Sequence, residues 1–68
     1  MQTIIVVLKD EKAILEDTAK HLCTYYSSII PHVGEFLEIS GNAVYEVHRV
    51  IHQLKNGAIT VIVEVKKH

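Results

Sequence analysis

The run Asn42-Ala43-Val44-Tyr45-Glu46-Val47-His48-Arg49-Val50-Ile51-His52-Gln53-Leu54-Lys55-Asn56-Gly57 satisfies two incompatible periodicities. With a period of 3.6, Ala43, Val44, Val47, Val50, Ile51 and Leu54 form one helical stripe, and Asn56-Gly57 supplies a C-cap. With a period of 2, Tyr45 and Val47 point one way, and the register slips near Arg49 as it would at a bulge. Branching at Cβ favours the strand, because Val44, Val47, Val50 and Ile51 all carry it. The flanking pairs Gly41-Asn42 and Asn56-Gly57 are hairpin signals. Val44 to His52 is therefore expected to be extended.

This reading also decides whether His48 and His52 can act as a metal site. On a helix an HxxxH spacing places two imidazoles on one face within reach of one ion. On a strand at about 3.3 Å per residue they lie roughly 13 Å apart, beyond sharing a metal. The motif lacks the Glu of HExxH, and a third ligand would have to come from Glu46, His32 or elsewhere. The two histidines are thus weak metal candidates, live only if Asn42 to Gly57 is helical. No cofactor is expected.

Outward from this run, Ala58 to Lys66 alternates cleanly, with Ile59, Val61, Val63 and Val65 on one face and Thr60, Ile62 and Glu64 on the other. Val33, Leu37 and Ile39 alternate with Glu38 and Ser40, which gives a strand entered near Gly34. The segment Ile30 to Glu35 with Tyr45-Glu46-Val47 resembles the opening of a small β-meander, as in many bacterial and phage accessory proteins. That resemblance implies no particular activity; a gene carried on a mobile element is a separate expectation.

Toward the start, Thr3 to Leu8 is an uninterrupted β-branched run of the kind buried on both faces in a central strand. Asp10 as N-cap and Glu11 in a first turn suit a helix, and Leu15, Ala19, Leu22 and Tyr26 fall on one stripe flanked by Ile14, Thr18 and Cys23. Glu16 and Lys20 form an i,i+4 pair. Ser27-Ser28 weaken this helix and Pro31 ends it. The expected architecture is α+β: a single domain over residues 1–68, in β-α-β-β-β order, with one helix packed on a mostly antiparallel four-stranded sheet. The second-ranked order is β-α-β-α-β.

Composition narrows the function. A domain of 68 residues buries only roughly 60% of its unfolded surface, yet 49% of its residues are hydrophobic and the mean hydropathy is +0.20. The apolar surplus points to a subunit or partner interface. Seven Lys and Arg against eight Asp and Glu, without a basic block, disfavour nucleic acid. The longest apolar run is too short to span a membrane. Cys23 is the one cysteine, so no internal disulfide forms, in keeping with a cytoplasmic location.

Catalytic constellations are missing from the sequence. His21 and Cys23 point apart on a helix, the glycines form no phosphate loop, and the carboxylates are scattered. The expected function is a small non-enzymatic binding or accessory protein acting as a homo-oligomer, a dimer, with a protein partner as a further expectation. The alternative is a ligand-binding or enzymatic site at a subunit interface. Leu37, Ile39, Tyr45, Val47, Ile59, Val61, Val63 and Val65 are expected to face the helix. The expected binding interface comprises Phe36, Val44, His48, Val50, Thr60 and Ile62 on the opposite face, with Tyr25 as an aromatic anchor; a bulge would move Val50.

Overall fold

The computed structural model describes residues 2–8, 20–39, 41 and 43–68. They form five strands: β1 (Gln2–Leu8), β2 (Lys20–Ser27), β3 (Phe36–Ile39), β4 (Ala43–Lys55) and β5 (Ala58–Lys67). The sheet order is β2-β1-β5-β4-β3. β1 and β5 pair in parallel, and the other neighbours are antiparallel. The sheet is mixed and curls into a half-barrel.

The α+β architecture is therefore overturned. The described residues contain no helix, the sheet has five strands rather than four, and both helical orders fail. Lys20 to Ser27, assigned above to the end of a helix, pairs with β1. The physical reason lies in spacing. A bulge at Leu22 breaks the period of 2, so the apolar residues of this strand do not alternate. Cys, Thr and Tyr at 23 to 26 favour the pleated conformation. Asp10, Glu11, Ile14, Leu15, Glu16, Thr18 and Ala19 lie outside the described residues.

The centre of the sheet is β1 beside β5. Ile4, Val6, Val61 and Val63 are completely buried, and Val47 and Val65 nearly so. Ile4 stands opposite Val61, Val6 opposite Val63, and Val47 opposite Val65, so one face collects the core. Tyr45 completes it, with Leu8, Cys23, Tyr25, Leu37, Ile39 and Val50 packed around. The face expected to meet a helix is thus the concave face of a curled sheet.

β4 is extended over its whole length, with a register shift between Val47 and Arg49 that leaves His48 without an opposite residue. The extra residue turns Val50 onto the core face opposite Val63 and aims Arg49 outward. There Arg49 donates from Nε and Nη2 to both oxygens of Glu64, at 3.0 and 2.9 Å. Asn56 and Gly57 both have positive φ, 53° and 79°, as a type I′ hairpin requires. β4 pairs with β3 only from Ala43 to Glu46. Gly34 and Glu35 then add two backbone bonds to Val47, extending the pairing to the bulge.

Candidate functional site

The half-barrel ends in two edges, β2 and β3, with no further strand beside either among the described residues. No Cα of β2 lies within 8 Å of one in β3, so the edges are not hydrogen-bonded. They nevertheless flank common space. A cleft of about 340 Å3 is lined by Val6, Cys23 and Tyr25 from one side and Leu37, Glu38 and Ile39 from the other. An adjoining cleft of about 280 Å3 shares Tyr25 and Leu37 and continues over Ser27, Ile29, Pro31, Glu35 and Phe36.

Each wall follows from strand alternation. Cys23 and Tyr25 stand opposite Val6 and Ile4, so both point to the concave side. Leu37 and Ile39 stand opposite Tyr45 and Ala43 and do the same. A register shift between Val6 and Val7 leaves Leu22 without an opposite residue. Beyond it, His21 is exposed and its Nε2 lies 2.7 Å from the Thr24 hydroxyl.

Burial pushes the Tyr25 phenol above its ordinary pKa, and the neighbouring Cys23 thiol adds to the shift. The neutral phenol is the form the fold favours. The unfolded chain therefore releases this proton first as pH rises past about 10, so stability falls in strongly alkaline solution. Tyr25→Phe should flatten that alkaline loss while leaving stability at neutral pH nearly unchanged, as read from urea midpoints between pH 8 and 11.

The residues expected to form one interface are divided by the pleat. Phe36, Val44, Thr60 and Ile62 share the convex face. Val50 and Tyr25 belong to the concave one, and His48 sits exposed at the bulge. On the convex face Ile5, Ile62 and Ile51 stand opposite one another across three strands. Phe36 meets the ring of His68 edge-on at 4.7 Å, and the His68 amide donates to the Val44 carbonyl.

His52 pairs opposite Val61 in the extended β4, on which His48 and His52 are four residues apart. The helix that would bring their imidazoles together is absent. No group of three or more His, Cys, Asp or Glu able to hold a metal occurs among the described residues. No described helix is long and apolar enough to cross a membrane. Sequence reasoning missed Cys23, Leu37 and Ile39 as cleft walls, because a helical reading of residue 23 hid their convergence. Comparison with protein-family models, curated proteins and solved structures gives no match.

Proposed function

We propose that this chain is a non-enzymatic binding protein that acts as a homo-oligomer. The observation carrying this reading is the open half-barrel: two edges flank an apolar cleft, beside several exposed apolar side chains. Tyr26, Ile29, Val33, Phe36 and Leu54 are each more than half exposed. Open edges offer backbone donors and acceptors to another strand, and proteins rarely leave them uncovered. The cleft itself holds Cys23, Tyr25 and Glu38 among apolar walls, a set that supplies contact area but no nucleophile, base and orienting group in line.

Sedimentation equilibrium of the untagged chain tests it. The expected result is a species of twice the 7.7 kDa chain mass, and a monomer persisting at several hundred micromolar would remove the reading.

A further inference from the structure

We infer that the occupant of the open edges is a second copy of this chain, with β2 of each protomer pairing antiparallel to β3 of the other. The inference rests on the homo-oligomer reading and adds to it the surface and the register.

Strand direction makes this pairing available. β2 runs against β1, whereas β3 runs with β1 and β5. A two-fold axis along the strands therefore brings β2 of one copy antiparallel beside β3 of the other, twice over. The result is a continuous ten-stranded sheet closed on itself, the arrangement that leaves no β2 or β3 edge exposed. One half-barrel cannot reach it alone, since its own edges stay more than 8 Å apart.

Side chains select the register. Setting Tyr26 opposite Phe36 of the other copy also sets Tyr25 opposite Leu37, Thr24 opposite Glu38, and Cys23 opposite Ile39. Each pair then matches concave with concave and convex with convex. Tyr26 and Phe36, 70% and 56% exposed in the single chain, become a cross-strand aromatic pair, a favourable combination in sheets.

Charge selects against the alternatives. β2 carries Lys20 and His21 and no carboxylate, while β3 and its lead-in carry Glu35 and Glu38 and no Lys or Arg. Pairing β2 with β3 in this register sets Glu38 opposite Thr24 and Glu35 level with Ser27, so no like charges meet. Pairing β3 with its own copy instead sets Phe36 against Glu38, or Glu38 against itself.

Native Cys23 provides the test. A disulfide needs Cα atoms within about 7 Å, so a cysteine at position 39 cannot bond Cys23 of its own chain without backbone movement. Mild oxidation of Ile39→Cys should give a covalent dimer as the main product on non-reducing mass analysis, with wild type giving little. Phe36→Lys should independently weaken dimerisation by about tenfold or more.

A disulfide within one chain, an equal covalent dimer from wild type, or no disulfide in Ile39→Cys would overturn the pairing. So would a dimer that withstands Phe36→Lys and dissociates with Ile62→Glu. In that case the homo-oligomer reading stands and the convex face is the interface. A wild type that sediments as a monomer overturns both.

Discussion

Val63→Asp should leave the chain unfolded at 25 °C, with a far-ultraviolet spectrum lacking the sheet signal. Val63 is completely buried between Val6 on β1 and Val50 on β4. An aspartate there loses the valine's packing and places a carboxylate in the completely buried centre of the sheet. Each loss costs a few kcal/mol, and small domains hold only about 5 to 15 kcal/mol in total. Val63→Ala supplies the graded control. It should fold with a urea midpoint lowered by the equivalent of about 2 kcal/mol, the size expected for a small core truncation. A cooperative thermal transition in Val63→Asp within a few degrees of wild type would mean that the centre of the sheet is elsewhere.

The second large effect concerns Arg49 and Glu64. Glu64 is 8% exposed although it lies on the convex face, and Arg49 contacts both its oxygens. The Arg49 side chain is about half exposed, so solvent screens part of the attraction. Arg49→Leu is expected to cost about 1.5 to 3 kcal/mol, the range for charged hydrogen bonds lost from a buried partner. Adding Glu64→Leu should recover most of that loss, because two apolar groups side by side on a half-buried face need no partners. Urea unfolding of the single and double variants measures both steps. Equal destabilisation by each would show that the pair contributes little beyond the space it fills.

Much of the sheet was legible in the sequence. β5 showed itself by strict alternation, the I′ turn by Asn56-Gly57, and β1 by an unbroken β-branched run. The slip near Arg49 was readable because polar and apolar positions change places there. What failed was the stretch from Lys20 to Ser27. A strand with a bulge at Leu22 no longer shows a period of 2, and its remaining apolar residues fit a helical stripe begun farther upstream. The cleft was hidden for the same reason: Cys23 and Tyr25 meet Leu37 and Ile39 only when β2 is an edge strand of the same curled sheet. Nothing local in either segment encodes that approach. It depends on the order β2-β1-β5-β4-β3, which no short-range signal states.

The parallel pairing of β1 with β5 also has a bearing on how the protein is made. Thr3 stands opposite Thr60 and Leu8 opposite Val65, so the two strands that hold the core are among the first and the last of the five to leave the ribosome. Until β5 emerges, Ile4 and Val6 lack their main packing partners. The β1–β2 hairpin can form early, but two strands alone are marginal in water. Closing a loop of this length makes folding slow relative to helical domains of equal size. The nascent chain consequently carries its most apolar strand without its parallel partner until β5 is made, an interval of exposure to aggregation.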